Sequence, residues 1–355
     1  MLFSTEPKDS VKDLFDREKE SAELRDKLKE RMILVLGMRR IGKTSLVLST
    51  LNSTDRNFVY VDVRKIYDEA SRKVQAEKLY EELYFSLTKL SRKERVRDLL
   101  TKLNISLESP LKAKLPLDEI KGNIIKIFEQ LNRIGKVVVA FDEAQYLRYS
   151  TVGLRSVLAH VYDHMKEVSL LFTGSEVGLL YDFVGVEDPE SELYGRYFAS
   201  VEIRPFEREK SREFLRAGFK EIGEKVEESV IERAVGEIDG VVGWLVYFGK
   251  LYPEKGVDAL DEVKSLGSKM VKKELEGLFI RSPYYLDILK AIATMGRTRW
   301  KNVVNYVIVK NEKKVPNATI SRDLKALMMT GFVEKIGEEY VIPDPIVKYT
   351  ILQEY

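Results

Sequence analysis

A glycine-rich segment near the amino terminus has the residue types and spacing needed to hold a chain of phosphates. Residues 37–44 read GMRRIGKT, which matches G-x-x-x-x-G-K-[ST] at every fixed position. Two glycines let the backbone turn so that successive N–H groups point at phosphate oxygens, while Lys43 adds a positive charge and the Thr44 hydroxyl can ligate Mg²⁺. The residues predicted to surround the phosphates are Gly37, Met38, Arg39, Arg40, Ile41, Gly42, Lys43, Thr44 and Ser45.

The segments on either side are the ones that such a loop requires. Residues 33–36 are an unbroken apolar run, typical of a strand buried in a parallel sheet, and residues 45–51 predict a helix. The dipole of that helix favours an anion at its start. A glycine-containing turn that matched by chance would not need these flanking elements. The segment is therefore predicted to be a nucleotide-binding P-loop.

Two acidic residues follow another apolar run. Residues 137–141 (VVVAF) predict a buried strand, and Asp142 and Glu143 come directly after it. In an open α/β sheet, the carboxyl ends of the strands are where ligands bind. Asp142 is predicted to hold Mg²⁺ together with Thr44, and Glu143 to orient the attacking water as a general base. Acids are also common in a solvated turn after a strand, so the catalytic interpretation depends on the P-loop.

Two further features could carry chemistry. Residues 168–172 predict another buried strand, and Thr173 at its end could reach the γ-phosphate or the water, or could simply mark the turn. His160 and His164 have the i, i+4 spacing of some metal sites. Because the chain contains no cysteine and no third histidine, a zinc site is not predicted.

The whole-chain composition indicates a globular protein. Of 355 residues, 33% are charged and 44% are apolar, and the formal net charge is only +2, so no overall field favours nucleic acid or a membrane. The absence of cysteine excludes disulfides and fits a reducing compartment. No apolar run approaches the roughly 20 residues that a bilayer span requires. We therefore predict a cytoplasmic protein without a membrane partner.

The remaining periodicities predict three domains. Strands alternate with helices through a core of residues 1–205, which includes a loose polar arm over residues 1–12. Residues 206–282 show helical periods only and predict a lid. Residues 283–355 predict three helices and a hairpin over 332–342, which together make a winged helix-turn-helix. Residues 91–116 predict a loop or an insertion. The expected fold class is α/β, with a five-stranded parallel sheet followed by the lid and the winged helix.

The C-terminal region is locally basic. Residues 297–325 contain eight Lys or Arg residues against two acids, which predicts double-stranded DNA as a partner of this stretch and of the wing over residues 332–342. Winged helices also serve as protein-interaction modules. A protein partner or self-association is the open alternative.

Taken together, these features resemble the archaeal ATPase family, a branch of the STAND group of P-loop NTPases that is close to AAA+ proteins. The resemblance extends over nearly the whole chain, and its most specific element is the arginine pair inside the P-loop. The matching motifs are Arg39-Arg40, Asp142-Glu143-Ala144-Gln145, Thr173-Gly174-Ser175, Gly195-Arg196-Tyr197, Pro205-Phe206 and Asp344-Pro345.

The resemblance implies a sheet of strand order 5-1-4-3-2, with ATP or ADP and Mg²⁺ bound between core and lid. It implies that Phe15 and Arg17 line an adenine pocket and that Gly240 lies near the nucleotide, although residues 240–243 lack the proline that is usual in the family. Arg196 matches an arginine that senses the γ-phosphate and could act like an arginine finger. A salt bridge before a strand is the equal alternative for Arg196.

The expected function is an ATP-dependent molecular switch, in which ATP closes lid and winged helix against the core and slow or partner-activated hydrolysis resets it. One alternative is an AAA+ initiator or loader in which ATP gates DNA binding. Another is a structural module that holds ADP without turnover.

Overall fold

A five-stranded parallel sheet forms the centre of the protein. The computed structural model describes residues 1–91, 116–185, 188–311 and 315–355, so the insertion predicted over residues 91–116 lies almost entirely outside the described residues. The strands are β1 (Met32–Leu36), β2 (Asn57–Asp62), β3 (Val137–Asp142), β4 (Val168–Gly174) and β5 (Ala199–Glu202). Their order across the sheet is β2-β3-β4-β1-β5. This is the predicted order 5-1-4-3-2 counted from the other edge, so the prediction is confirmed.

Burial of the strands explains their composition. Every residue of β1, β3 and β4 is buried, as the unbroken apolar runs predict for central strands of a sheet that has helices on both faces. The edge strand β5 alternates buried and exposed residues instead. The parallel register places the carboxyl ends of β1, β3 and β4 at one edge, next to the P-loop.

Helices around the sheet complete the core. The helix Leu117–Ile134 shows the physical basis of the pattern, because its buried side chains Ile120, Ile124, Ile127 and Leu131 recur every three or four residues and form one apolar face. The core helices are Glu18–Lys27, Lys43–Asn52, Val63–Ile66, Ala76–Ser91, Leu117–Ile134, Leu154–His164 and Val177–Val184, with 3₁₀ segments at Val11–Asp13 and Ala144–Tyr149 and a small ladder of Tyr67–Asp68 with Lys73–Val74.

Beyond residue 205 the chain is mainly helical, as predicted. The helix Ala259–Phe279, hereafter the linker helix, is the last helix of the predicted lid before the C-terminal region. The helices are Arg208–Ile222, Glu228–Ile238, Val242–Lys255, Ala259–Phe279, Tyr285–Met295, Trp300–Asn311, Asn317–Met329 and Pro345–Glu354, with a 3₁₀ segment at Gly256–Asp258. Among the described residues, no helix is both long enough and apolar enough to cross a membrane.

A small antiparallel sheet accompanies the C-terminal helices. Thr298–Arg299 pairs with Glu339–Val341, which pairs with Glu334–Ile336 through the predicted turn at residues 337–338. The winged-helix interpretation of this region stays a prediction. One hydrophobic cluster extends from Phe206 to Ile351, so lid and C-terminal region share a core. The domain boundaries at 205 and 282 therefore stay predictions as well.

The N-terminal arm is not loose, and this expectation was wrong. Phe3 is only 3% exposed and its ring packs edge-on against Phe214 at 5.7 Å and Phe219 at 5.1 Å between centroids. Further along the arm, the Lys8 amide donates to the Ser45 hydroxyl at 3.1 Å. The arm thus connects the lid to the helix that follows the P-loop. A single phenylalanine in a polar segment was the only sequence signal for this docking.

Replacement of Phe3 tests this role of the arm. We expect Phe3→Ala to lower the free energy of unfolding by about 3 kcal/mol, because a buried ring is lost and a cavity remains between the lid helices. Thermal unfolding measures the effect, and Phe85→Ala is the matched control because Phe85 is 42% exposed. Equal melting temperatures for the two variants would contradict the docking of the arm.

Candidate active site

The P-loop joins β1 to the helix Lys43–Asn52, as the sequence predicts. Arg40 and Gly42 have left-handed backbone conformations with φ of 65° and 94°, which lets the loop curl back on itself. Lys43 is 5% exposed, and its ammonium donates to the carbonyl oxygens of Gly37 at 2.9 Å and Met38 at 2.8 Å. Burial lowers the pKa of Lys43, although Glu143 and Asp142 oppose this shift. Phosphate oxygens can take the place of the two carbonyls at this amine.

Asp142 lies at the carboxyl end of β3 and faces the P-loop helix. The Thr44 hydroxyl donates to its Oδ2 at 2.7 Å, and the Tyr60 hydroxyl to the same oxygen at 2.6 Å. Thr173 donates to Oδ1. The structure therefore brings together Thr44 and Asp142, the two residues predicted to ligate Mg²⁺. Tyr60 was missed, although its strand pairs with β3 and the sequence shows a tyrosine near the end of that strand.

The donor set fits a hard cation. A hydroxyl and a carboxylate provide only oxygen ligands, and Mg²⁺ is bound by few protein oxygens together with water and substrate phosphates. Thr44 and Asp142 would hold the ion, and a bound Mg²⁺ would neutralise charge on the phosphates.

Glu143 follows Asp142 in a left-handed conformation with φ of 53°. Its Oε2 accepts hydrogen bonds from the Gln145 side chain at 2.5 Å and from the Ser175 hydroxyl at 2.6 Å. Burial would raise the pKa of Glu143, but the charge of Lys43 and the two hydrogen bonds outweigh burial and hold it below its usual range. The group is thus a carboxylate at neutral pH, the state that a general base needs. Gln145 and Ser175 belong to motifs that match the family, but the sequence did not predict that they bind Glu143.

This arrangement predicts a specific pH dependence. A lowered folded-state pKa keeps Glu143 ionised, so hydrolysis should be lost through its protonation only as the pH falls through that value, below the ordinary glutamate range near 4.3. Ser175→Ala removes a donor to the charged form and should move this loss to higher pH. Single-turnover hydrolysis from pH 3 to 8, with ATP binding and folding measured at each pH, tests the shift. If the wild-type protein and Ser175→Ala lose hydrolysis at the same acidic pH, the prediction is contradicted.

A cavity of about 280 Å³ adjoins the P-loop. Residues 40–45 and Glu143 form one wall, and Val242, Gly243 and the N-terminal arm form others. Phe15 adds an aromatic wall, with its ring centroid 5.4 Å from that of Phe214. Phe15 and Arg17 both line the cavity, and their predicted contact with adenine stays a prediction.

Three residues that were predicted to contact the nucleotide have other roles in the structure. The Arg17 guanidinium lies 4.5 Å above the Phe206 ring and donates to the Arg204 carbonyl at 2.9 Å, so it braces the cavity wall. Gly240 does not line the cavity; its carbonyl accepts from the Phe206 amide at 2.9 Å, and Gly243 supplies the lid's glycine contact instead. Thr173 is fully buried and its hydroxyl donates to Asp142, so it orients this carboxylate instead of contacting the nucleotide.

Arg196 lies at the opposite edge of the sheet. It precedes the amino end of β5, and its guanidinium pairs with Asp163 at 2.6 Å and 3.0 Å. The P-loop follows the carboxyl end of β1, which is roughly 15 Å away along five strand residues. Arg196 therefore forms the salt bridge that was the alternative prediction. At this distance it does not contact the γ-phosphate bound to the same chain, so that prediction was wrong.

The arginine pair of the P-loop contacts the linker helix. Arg39 binds Glu176 and Glu274, each at 2.5 Å, and Arg40 binds the second oxygen of Glu274 at 2.9 Å. Burial opposes the charge on Arg39, but the two glutamates outweigh it and raise its pKa. Arg39 therefore points away from the cavity where it was predicted to contact phosphate. The acidic partners of the pair were not predicted.

The second arginine also contacts the C-terminal segment. The Arg40 guanidinium lies 4.6 Å above the Trp244 ring and 3.9 Å from Asp344. The Trp244 indole donates to Asp344 at 2.9 Å, and Asp344 caps the helix Pro345–Glu354. Burial raises the pKa of Asp344, while Arg40 and Trp244 oppose the shift. Arg39, Arg40, Glu274, Trp244 and Asp344, hereafter the double-arginine network, connect the P-loop to lid, linker helix and C-terminus.

Comparison with known proteins identifies related chains. A family model described as an ATPase domain predominantly from Archaea matches residues 14–248. A solved Walker-type ATPase of Pyrococcus abyssi is 36% identical, with 99% of this chain and 100% of that chain covered and a TM-score of 0.83. No curated protein matches the chain.

Two more distant structures come from Thermotoga maritima RuvB. The Holliday junction branch migration motor is 13% identical over 98% of both chains with a TM-score of 0.45, and its K64R mutant is 14% identical over 97% of both with 0.46. Neither likeness is close enough to bear on function. The family match and the P. abyssi structure agree with a P-loop ATPase fold around a five-stranded parallel sheet. The chain therefore belongs to the family of ATPase domains found predominantly in Archaea, and it is a nucleotide-binding protein.

Proposed function

We propose that this protein is an ATP-hydrolysing molecular switch of the STAND type. The observation that carries the proposal is the double-arginine network, because one P-loop residue, Arg40, lines the nucleotide cavity and also binds Glu274 of the linker helix. A switch needs contacts that differ between nucleotide states. Through Arg40, a change of charge in the nucleotide cavity can change the position of the linker helix.

Nucleotide binding would use the P-loop and the lid. The phosphates lie along residues 40–45, with Lys43 exchanging its two carbonyl partners for phosphate oxygens. Adenine lies towards Phe15, between core and lid, where an aromatic wall offers a flat contact. Thr44 and Asp142 would hold Mg²⁺, which would supply positive charge to the phosphates. The cofactors of this proposal are thus ATP or ADP with Mg²⁺.

Hydrolysis would depend on Glu143. Its carboxylate lines the cavity and has its Oε2 fixed by Gln145 and Ser175, so it is oriented before a nucleotide binds. The base takes a proton from the attacking water while Lys43 balances charge on the γ-phosphate. Loss of the γ-phosphate removes its contacts with the P-loop and lid. The lid and C-terminal region then relax relative to the core.

Phosphate release from Mg·ATP tests the proposal. The protein is first stripped of nucleotide by mild unfolding and refolding, and nucleotide content is measured afterwards. We expect slow turnover, with a burst of one phosphate per chain if ADP release is limiting. Tight ATP binding without any phosphate release would contradict the switch and favour a structural module that holds nucleotide permanently.

A second candidate is a DNA-binding protein of the AAA+ initiator or loader type. Arg322 and Lys325 favour it, because both side chains are exposed on the helix Asn317–Met329. The hairpin that would form the wing opposes it, since its strands contain Glu334, Glu339 and one lysine, and Glu338 lies in the turn. The duplex phosphates would therefore contact the helix Asn317–Met329 and residues 297–310 instead of the hairpin.

Duplex binding at several salt concentrations separates the candidates. If ATP gates DNA binding, affinity should require ATP and should fall steeply with salt. The double variant Arg322→Gln/Lys325→Gln should then lose about two phosphate contacts. The slope of log affinity against log salt concentration should become shallower by roughly 1.8. Unchanged affinity in this variant would exclude the helix as the DNA-binding surface.

A further inference from the structure

A second cavity, distinct from the nucleotide cavity, opens between the core and the linker helix. It has a volume of about 540 Å³. On the core side it is lined by Tyr67, Tyr146 and Tyr149, and on the other side by residues of the linker helix and by Arg281. We refer to it as the tyrosine cleft. Arg39 and Glu274 of the double-arginine network line part of it, but it shares no lining residue with the nucleotide cavity.

The three tyrosines form a continuous aromatic surface. The ring centroid of Tyr67 lies 4.6 Å from that of Tyr146 and 5.7 Å from that of Tyr149, with interplanar angles of 39° and 44°. All three side chains are half-buried, so part of each remains accessible. Tilted rings held against one another offer a rigid platform on which a flat ligand can stack.

The cleft is lined by basic and acidic side chains, and its acids have basic partners: Arg39 pairs with Glu176 and Glu274, and Lys273 lies 3.9 Å from Glu69. Within the described part of the chain, the guanidinium groups of Arg64, Arg72 and Arg281 form no hydrogen bond or ion pair, and all three residues are exposed. Arg72 and Arg281 line the cleft together with Tyr67, and their charges oppose the rise that burial causes in the pKa of Tyr67. Three unpaired cations beside an aromatic surface suit a ligand that has both flat rings and negative charge.

The size of the cleft narrows the ligand class. A volume near 540 Å³ is in the range of small-molecule sites and is too small for a double helix. Acidic peptides carry the charge but no regular series of flat rings. Successive nucleotides of a single strand offer one base to stack and one phosphate to pair at each step.

The cleft also borders the catalytic carboxylate. Gln145 is 2% exposed and lies in the wall of the cleft, while its amide nitrogen donates to Glu143 at 2.5 Å. Its Oε1 is buried without a hydrogen-bond partner among the described residues. Arg39 joins the same wall to the P-loop. A ligand in the cleft is therefore one side chain away from the group that would activate water.

We propose that the tyrosine cleft binds single-stranded nucleic acid, with a base stacked on the tyrosines and phosphates held by Arg64, Arg72 and Arg281. This binding site is separate from the basic helix Asn317–Met329 and does not depend on ATP hydrolysis. Binding is the core of the inference, and any change in hydrolysis would follow through Gln145.

Fluorescence anisotropy with a labelled oligothymidylate of about 12 nucleotides tests the proposal. Arg72→Gln/Arg281→Gln should weaken binding at least about tenfold and reduce the salt slope by roughly 1.4, because two phosphate contacts of a single strand are lost. The matched control is Arg133→Gln/Lys166→Gln, which removes the same charge at two exposed positions outside the cleft and outside the helix Asn317–Met329, and it should bind almost as wild type. ATP binding and thermal unfolding confirm that each variant is folded.

A tyrosine variant separates stacking from charge. Tyr67→Leu keeps an apolar side chain but removes the ring, and it should weaken binding at least fivefold while the salt slope is unchanged. If Tyr67→Leu does not fold, the arginine pair still decides the question.

Four results would overturn the proposal. One is no oligonucleotide binding at low salt, and another is equal weakening in the cleft and control pairs. A third is equally strong competition by polyglutamate or by a duplex of the same length, which would mean a general response to negative charge. The fourth is displacement by uridine monophosphate at concentrations as low as those of the oligonucleotide, which would assign the cleft to a free nucleotide.

Discussion

The Glu143→Gln variant is expected to hydrolyse ATP at least about 100-fold more slowly than the wild-type protein, while it binds ATP with nearly the same affinity. A positioned general base contributes on the order of 10² to 10⁴ in rate. The amide has the same shape and can still accept from the Ser175 hydroxyl, which lies 2.6 Å from Oε2, so the site should remain assembled. Only the ability to take a proton from water is lost.

Two measurements are needed for this variant. Single-turnover phosphate release gives the rate of the chemical step, and a binding titration gives the ATP affinity. Glu192→Gln is a suitable control, because it also neutralises a glutamate but its side chain lies away from the nucleotide cavity. A Glu143→Gln rate within threefold of wild type would remove Glu143 from the mechanism.

Lys43→Ala is expected to lower ATP affinity by about 30-fold or more, which corresponds to roughly 2 kcal/mol. The ammonium is buried and is the positive charge nearest the phosphates in the proposed complex. Its removal also leaves the Gly37 and Met38 carbonyls without their donor. Loss of binding, rather than loss of catalysis alone, should therefore dominate.

Calorimetric titration with ATP in the presence of Mg²⁺ measures this loss. Lys19→Ala serves as the control, since Lys19 is exposed on the helix Glu18–Lys27. If Lys43→Ala binds ATP as tightly as the control does, the P-loop is not the phosphate site of this protein.

The sequence was sufficient to predict most of the core because its signals are local. A glycine at a fixed place in the loop and an apolar run before it depend only on neighbouring residues, so the P-loop and its flanking elements were predicted correctly. Asp142 and Glu143 were placed for the same reason, since they follow a buried strand directly. Parallel pairing then brings them to the loop without any further information.

Contacts between distant segments could not be predicted in this way. Glu274 looks like one more charged residue on a helix surface until the linker helix packs against the P-loop. Phe3 looks like part of a short apolar start to a polar arm until Gly218 and Gly249, where a Cβ would clash with its ring, leave room for it. Arg196 shows the converse case. Its motif matched, but its location before β5 places it at the wrong edge of the sheet.

Hydrogen–deuterium exchange in the two nucleotide states tests the switch most directly. The Glu143→Gln variant would be saturated with Mg·ATP or Mg·ADP, so that hydrolysis does not mix the states. The account predicts slower exchange with ATP in the lid helix Val242–Lys255 and the linker helix, and a smaller difference after Glu274→Gln is added. Glu262→Gln, an exposed change on the same helix, should leave the difference intact. Identical exchange in the two nucleotide states would contradict the proposal that the double-arginine network transmits the state of the nucleotide.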